Sequence, residues 1–227
     1  MKRSEVNRAL REMEAMIREN GVHLPPFCDF TPEDWQSKGH AFDEVRDNLL
    51  GWDITDYGLG DFDRVGFSLI TLRNGNLLQR DRYPKSYAEK LLYLKEGQYS
   101  PNHFHWNKME DIINRGGGDI VFRLWNAAPD DGLDGSDVRV ESDGRTWTVG
   151  AGSEIVLSPG QSLTLYPRCY HEFTVRPGTG YAIIGEVSMC NDDQTDNRFL
   201  EPLGRFPTIE EDEPPYRLLC TEYPTAR

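Results

Sequence analysis

The sequence predicts a mainly β protein, an antiparallel barrel or sandwich that follows a helical extension. From about Trp52 the chain becomes a series of short runs rich in Val, Ile, Leu, Tyr, Phe and Thr, separated by Gly, Pro, Asn and Asp. The runs follow at short, regular spacing with no helical pattern between them, which favours antiparallel sheets over alternating βαβ units. Before Trp52, apolar residues recur at helical spacing instead.

The N-terminal extension, residues 1–50, begins with an amphipathic helix pattern. Ser4 offers an N-cap and Gly21 offers a stop for a helix between them. The apolar residues at helical spacing are Val6, Leu10, Met13 and Ile17. Thr31 predicts a second, shorter helix, because TPEDW combines an N-cap, a first-turn proline and two acids near the positive end of the helix dipole. A further short turn is expected in FDEVRDNLLG.

Nine runs are interpreted as strand regions of a barrel that spans residues 51–200. Within one of them, SDGR predicts a tight hairpin turn. Residues 201–227 are acidic and proline-rich, and we expect them to form an irregular tail on the surface. With 37% hydrophobic residues in 227, the chain can form one sizeable core, so one domain is expected overall. The runs are WDITDY, RVGFSLITLRNG, YAEKLLYLKEG, DIVFRLWNA, DVRVESDGRTWTVG, SEIVLSPG, SLTLYPR, YHEFTVRPG and TGYAIIGEVSM.

Composition excludes some classes of binding partner and indicates a compartment. The formal net charge of -13 repels phosphate backbones and anionic membrane surfaces, so neither nucleic acid nor membrane is an expected partner. The first twenty residues carry charges on nearly every turn, unlike a signal peptide or a membrane span. Four scattered cysteines without a CxxC pair are typical of reduced thiols in a cytoplasmic protein.

The segment from Gly97 to Gly117, GQYSPNHFHWNKMEDIINRGG, carries the strongest chemical signal. Residues i and i+2 of a strand share one face, so His103 and His105 can present two imidazoles to one point. Glu110 can reach that point from the neighbouring strand after a turn. Two neutral nitrogens and one carboxylate suit a divalent first-row metal. A lone HxH in a surface hairpin would remain an equally good explanation, so the whole spacing has to be considered.

That spacing resembles the first motif of the cupin superfamily, whose members are small jelly-roll β-barrels. The resemblance implies one more histidine ligand from a second motif, for which His171 in SPGQSLTLYPRCYHEF is the candidate. The family's PxGxxH is replaced here by the shorter PRCYH. His23 and His40 lie in the N-terminal extension and are interpreted as ordinary solvated or satisfied histidines. A site with open coordination positions is expected to be catalytic.

Glu186 is the candidate general base. If Pro177 to Gly180 form a four-residue loop in YHEFTVRPGTGYAIIGEV, then His171 pairs with Glu186 across a hairpin. Its mostly apolar face would lie inside the barrel and bring the acid beside the metal ligand. A one-residue change in loop length would instead turn Glu186 to solvent.

Lys90 is the candidate electrostatic helper, because it shares a face of YAEKLLYLKEG with Ala88 and two leucines. There it could bind a substrate hydroxyl or stabilise negative charge, unless it extends to solvent from the strand start. Lys108 is a second candidate for substrate binding. Trp106, like Trp125 and Phe104, could form a wall against a sugar ring or belong to the core.

A longer resemblance points to an activity. The helical extension, SPNHFHWNKMEDIINRGGGDI, the following LWNA and the distal LYPRCYHEF resemble the cupin-type D-lyxose isomerases over most of the chain. The resemblance implies interconversion of D-lyxose with D-xylulose and of D-mannose with D-fructose through a cis-enediolate, generally with manganese, although other divalent first-row metals are possible. It also implies a homodimer. The metal ligands it implies are His103, His105, Glu110 and His171.

Two other functions fit the same motif. A cupin Fe(II) dioxygenase would use the same ligands, and a non-catalytic sugar-binding cupin would bind without turnover. No glycine-rich phosphate loop is present in the sequence, which favours an unphosphorylated sugar as substrate.

Overall fold

Two curled antiparallel sheets face each other in the computed structural model, which describes residues 1–193 and 195–226. The predicted class, mainly β with a helical N-terminal extension, is confirmed. The helices are α1 (Arg3–Glu19), α2 (Pro32–Gln36) and α3 (Asp43–Asp47), with 3-10 turns at Pro26–Asp29 and His40–Phe42. The strands are β1 (Gly51–Thr55), β2 (Phe67–Arg73), β3 (Tyr87–Lys95), β4 (Tyr99–His105), β5 (Glu110–Gly117), β6 (Ile120–Ala127), β7 (Leu133–Asp134), β8 (Val138–Ser142), β9 (Arg145–Val149), β10 (Glu154–Leu157), β11 (Ser162–Leu165), β12 (Cys169–Val175), β13 (Tyr181–Met189) and β14 (Asn197–Phe199).

The larger sheet has the order β1-β2-β3-β13-β5-β11-β8-β9, and the smaller one has the order β10-β6-β12-β4-β14, with β7 added beside β6. Apolar side chains of both inner faces fill the space between the sheets. Alternation of buried and less buried residues along strands such as β12 follows from this single inward face. The main core includes Leu92, Leu94, Ile112, Phe122, Leu124, Phe173, Val175, Ala182 and Ile184.

The helical extension covers the outside of the larger sheet. The four apolar residues predicted for one face of α1 are buried against Trp52, Ile54 and Ile70, which lie on the outer side of β1 and β2. The predicted N-cap Ser4 is wrong, because α1 begins at Arg3 and the Ser4 hydroxyl donates to Asp212 of the tail instead. Thr31 caps the start of α2 as predicted, since the backbone N–H of Asp34 donates to the Thr31 hydroxyl at 3.1 Å.

The predicted hairpin between β12 and β13 is wrong. β12 pairs with β4 and β6 in the smaller sheet, whereas β13 pairs with β3 and β5 in the larger one. The residues between them therefore cross from one sheet to the other. His171 and Glu186 are not cross-strand partners. Both nevertheless face the interior, because the inward sides of two facing sheets meet across the barrel.

Glu110 also differs from its predicted origin. Since β4 and β5 belong to different sheets, this carboxylate approaches His105 from across the barrel and not from a neighbouring strand. By contrast, the predicted SDGR turn is present, with Ser142 paired to Arg145 and positive φ angles of 50° at Asp143 and 75° at Gly144.

Residues 201–226 of the tail are irregular and are tied to α1 by partly buried polar contacts. The Arg3 guanidinium binds the carboxylates of Glu211 and Glu222. The Tyr216 hydroxyl donates to Glu14 at 2.8 Å. Among residues 1–193 and 195–226, no helix is long and apolar enough to cross a membrane.

Candidate metal and active site

Three histidines converge at the inner face of the smaller sheet. His103 and His105 are two residues apart on β4, and His171 on β12 is directly opposite His103 in the strand register. The ring centroids of His103 and His171 are 4.2 Å apart. One nitrogen from each ring lies within 4.8 Å of the other two, as a shared metal ion requires. Of the other histidines, His23 is exposed, and His40 contacts Asp43 at 3.1 Å.

Backbone contacts orient two of these rings. Nδ1 of His103 is 2.7 Å from the Pro101 carbonyl oxygen, and Nδ1 of His171 is 3.0 Å from that of Cys169. A proton held on Nδ1 leaves the Nε2 lone pair facing the cavity, which is a common arrangement at metal sites. Burial lowers the pKa of His171 to about 4 and holds that of His103 well below its ordinary value. At neutral pH both rings are therefore uncharged, and each can offer its Nε2 lone pair to a metal ion.

Glu110 adds a carboxylate from β5. Its Oε1 lies 3.2 Å from Nε2 of His105 and 3.5 Å from Nε2 of His171, while Oε2 lies 2.7 Å from Nζ of Lys108. Burial by itself would raise the pKa of the Glu110 carboxyl, but the Lys108 ammonium and His105 together keep it well below its usual range. Among the described residues, the buried Nδ1 of His105 has no hydrogen-bond partner. Neutral imidazoles, an anionic oxygen and an unpartnered ring nitrogen fit a divalent metal ion.

Two lysines and a second glutamate lie next to this group, all at most 5% exposed. Lys90 on β3 is directly opposite Glu186 on β13, and its Nζ is 3.4 Å from Glu186 Oε1. Nζ of Lys108 lies between the two carboxylates, 2.9 Å from the same oxygen. The Ser188 hydroxyl donates to this oxygen at 3.3 Å. Glu186 is thus an ionisable group on the cavity wall, surrounded by donors.

Asn191 contacts both ammonium groups. Its Oδ1 accepts from Nζ of Lys90 at 2.7 Å and from Nζ of Lys108 at 3.4 Å. Asn74 fixes the backbone of Asn191 on both sides, because its Nδ2 donates to the Asn191 carbonyl at 3.1 Å and its Oδ1 accepts from the Asn191 N–H at 3.0 Å. The neutral amide contacts both lysines without adding to the negative charge of Glu110, Glu186 and Asp193, whose Oδ1 is 3.9 Å from Nζ of Lys90.

Arg205 of the tail segment also lines the cavity, together with Asp193. Its Nη2 lies 2.6 Å from Oδ2 of Asp53 and 3.0 Å from Oδ2 of Asp193. Burial raises the pKa of Asp193, but the Arg205 guanidinium and the ammonium groups of Lys90 and Lys108 together outweigh burial and hold it well below its usual range. Burial raises the pKa of Asp53.

The rest of the cavity wall is mixed. The Tyr57 hydroxyl and the Ser100 hydroxyl are 3.0 Å apart on this wall. The cavity does not include Trp106, which is 36% exposed and packs on Phe104 and Arg168. Trp125 and Phe104 do not line the cavity either. Its wall contains Tyr57, Phe67, Leu69, Leu92, Ser100, Ile112, Phe173, Asn197 and Phe199, besides the charged residues described above.

Sequence reasoning found seven residues that the structure brings together, and it missed several others. Lys90, Lys108, Glu186 and the four expected metal ligands surround the same cavity. Asn191, Asp193 and Arg205 were not found, because they follow the last long strand in loops without a periodic pattern. The signal available for Arg205 was its place as the only basic residue in residues 200–216.

Comparison with known proteins gives one consistent family. A model of the D-lyxose isomerase family matches residues 1–223. The chain is 49% identical over 224 residues to the D-lyxose/D-mannose isomerase of Serratia proteamaculans, and 46% identical over 224 residues to that of Escherichia coli O157:H7, covering 98% of each chain in both cases. A crystal structure of Cellulomonas parahominis L-ribose isomerase is similar with a TM-score of 0.58 at 15% identity, covering 92% of this chain and 98% of that one, which shows a shared fold.

Proposed function

Because the chain belongs to the D-lyxose isomerase family and is a sugar aldose–ketose isomerase, we propose that it interconverts D-lyxose with D-xylulose and D-mannose with D-fructose. The observation that carries this proposal is one buried cavity that combines a metal-binding donor set with Glu186 and two lysines. An isomerase family favours proton transfer over the dioxygenase and sugar-binding alternatives.

We propose that His103, His105, Glu110 and His171 hold a divalent ion, with manganese the first choice. When bound, this ion supplies Lewis acidity at the sugar's C1 and C2 oxygens, which makes the C2 hydrogen acidic. The closeness of the three ring nitrogens and of the Glu110 carboxylate supports this set. Imidazole and carboxylate ligands also suit iron, cobalt, nickel and zinc.

Glu186 is the proposed general base. In an open-chain aldose it removes the proton from C2 and returns it to C1 of the enediolate, while the proton of the C2 hydroxyl passes to the C1 oxygen, so that the carbonyl moves from C1 to C2. Lys90 and Lys108 lie within 3.4 Å of Glu186 Oε1, so two positive charges face the place where negative charge develops on the substrate oxygens. The apolar part of the wall limits access of water to the enediolate.

The deciding experiment measures ketose formation from D-lyxose and D-mannose without oxygen. Chelator-treated protein should be inactive, and added Mn²⁺ should restore turnover of both sugars. In D₂O, any deuterium that the product gains should be at C1, the carbon to which Glu186 returns the proton. Absence of turnover with either sugar despite bound metal would overturn the proposal.

We also propose a cytoplasmic homodimer. The described cysteines are all free thiols, which supports a reducing compartment. The outer face of the larger sheet carries exposed apolar side chains next to one another, namely Tyr87, Met109, Val187 and Met189, each more than 40% exposed. Such a patch favours association with another copy. Sedimentation should show a dimer, and Met189→Lys should shift it towards monomer; a monomeric wild-type protein would contradict this.

A further inference from the structure

The Arg205 side chain leaves one donor unused inside the cavity wall. Its Nη1 atom is buried and has no hydrogen-bond partner among residues 1–193 and 195–226, although the side chain lines the same cavity as the three histidines. A buried guanidinium donor without an acceptor is unfavourable, because the group has lost its hydrogen bonds to water. An acceptor on a molecule bound in the cavity would satisfy this donor.

The other side of the same guanidinium is fully engaged. Nη2 binds Asp53 and Asp193 at 2.6 and 3.0 Å, and the two carboxylates are 5% and 16% exposed. Two negative charges thus surround one positive charge. A phosphate at Nη1 would place further negative charge beside these carboxylates and could not form the usual two-pronged contact, because Nη2 is already occupied. A neutral hydroxyl meets neither obstacle.

We propose that Nη1 of Arg205 donates a hydrogen bond to a hydroxyl of the bound sugar, and that Asp53 and Asp193 restrict this position to neutral hydroxyls, so that phosphorylated sugars are rejected. The inference rests on the proposed isomerase function. It assigns a substrate-binding role to a residue of the tail segment, and it gives the cavity a physical basis for choosing between free and phosphorylated sugars.

The hydroxyl contact is tested with Arg205→Met and a set of deoxy analogues of D-mannose, each lacking one hydroxyl beyond C2. With the wild-type enzyme, one analogue should lose about 10- to 100-fold in kcat/KM, the range for a hydrogen bond to a charged group. In Arg205→Met, D-mannose itself should show this loss, mainly in KM, and the same analogue should show no further loss. Arg205→Lys serves as a second variant, because it keeps a positive charge beside Asp53 and Asp193. We expect it to keep the tail segment in place but not to restore the hydrogen bond to the sugar.

If every analogue loses the same factor in kcat/KM with Arg205→Met as with wild type, the hydroxyl contact is refuted and Arg205 is a structural residue. Circular dichroism and bound metal content are measured in parallel, so that a folding defect is recognised. Wild-type turnover of D-mannose is established first. Its absence would refute the proposed function, whereas such equal losses in an active enzyme would refute only the inference.

The charge restriction is tested with inorganic phosphate as inhibitor. Asp53→Asn leaves Arg205 with one carboxylate, so phosphate should inhibit this variant about tenfold more strongly than wild type, a change equal to about 1.4 kcal/mol. Asp63→Asn, which makes the same charge change at an exposed position, should behave like wild type. The added inhibition should disappear in the Asp53→Asn/Arg205→Met double variant. Equal inhibition of wild type, Asp53→Asn and Asp63→Asn would overturn the restriction.

Discussion

At the scale of single residues, Glu186 combines full burial with three neighbouring donors, which is what a reversible proton carrier needs. Glu186→Gln keeps the shape and the hydrogen-bonding capacity but cannot accept the proton. We expect kcat to fall about 10²- to 10⁴-fold, with KM and bound metal nearly unchanged, as for loss of a general base. Steady-state kinetics and metal analysis test this. A variant with wild-type kcat would assign the proton transfer to another group.

Asn191 is a positioning residue for the two lysines. Asn191→Ala removes the acceptor 2.7 Å from Nζ of Lys90, so the ammonium is held less firmly beside Glu186. We expect kcat to fall about 10-fold or more, consistent with a hydrogen bond to a charged group, while KM changes less. Asn126→Ala, which removes an amide in an exposed contact with Ser136, is the matched control and should leave kcat unchanged. Equal kcat in both variants would contradict the positioning role.

The alternation of strand side chains made part of this site predictable. Lys90 lies on the same inward face as Ala88, Leu92 and Leu94, as a period of two requires. Glu186 faces inward for the same reason, even though its predicted partner strand was wrong. The loop residues Asn191 and Arg205 could not be placed, because an irregular backbone has no period from which a direction can be read.

At the scale of elements, the two outer glycines of the histidine motif have different tasks. Gly97 and Gly117 both have positive φ angles, of 91° and 87°. A Cβ on Gly97 would meet nothing within 4 Å, whereas one on Gly117 would lie 2.3 Å from the Tyr181 carbonyl oxygen on β13. Gly117 therefore permits the close approach of β5 to β13, the strands that carry Glu110 and Glu186.

Alanine at these two positions separates backbone strain from steric overlap. Gly97→Ala should lower the free energy of unfolding by about 1–2 kcal/mol, the cost of a left-handed backbone. Gly117→Ala adds the clash with β13, so we expect a loss of at least about 3 kcal/mol. Urea unfolding measures both values. Equal losses would show that the contact with Tyr181 relaxes at little cost.

Strand positions were predictable from the sequence, but strand partners were not. The runs containing β12 and β13 were found, since each is a β-rich run bounded by turn residues. Their pairing depends on contacts with β3, β4, β5 and β6, whose paired residues are more than 40 positions earlier in the chain. A short connection suggests a hairpin, yet it can equally cross between two sheets when each strand completes a different one.

At the scale of the whole molecule, Glu14 joins α1 to the tail. Its carboxylate accepts from Tyr216 at 2.8 Å and lies 2.8 Å from Arg18 and 3.3 Å from Arg217. Burial raises the pKa of Glu14, but these partners together outweigh it and lower the pKa below 4.5. Because its native pKa lies below the unfolded value, Glu14 contributes stability above about pH 4.5, and this contribution is lost as pH falls through the native pKa.

Glu14→Gln should therefore lower the melting temperature by roughly 3–10 °C at neutral pH. The difference from wild type should shrink as the pH falls below about 4.5. Melting curves between pH 3 and 8 test this, with the exposed Glu19→Gln on the same helix as the control. A difference that stays constant down to pH 3 would show that the lost contacts do not depend on the carboxylate charge. We expect a single transition in each case, because the tail, α1 and the barrel share contacts.

The contact between Arg205 and Asp53 also sets an order of events during synthesis. The ribosome makes the histidines, Glu110 and Glu186 before it makes Arg205, and Asp53 is 152 residues ahead of its partner. Proteins begin to fold from the N-terminal side as they are made. A nascent barrel can thus bring together the three histidines and Glu110 while the cavity wall is still incomplete, and the wall is completed only when Arg205, which is made after all of these residues, folds back against Asp53.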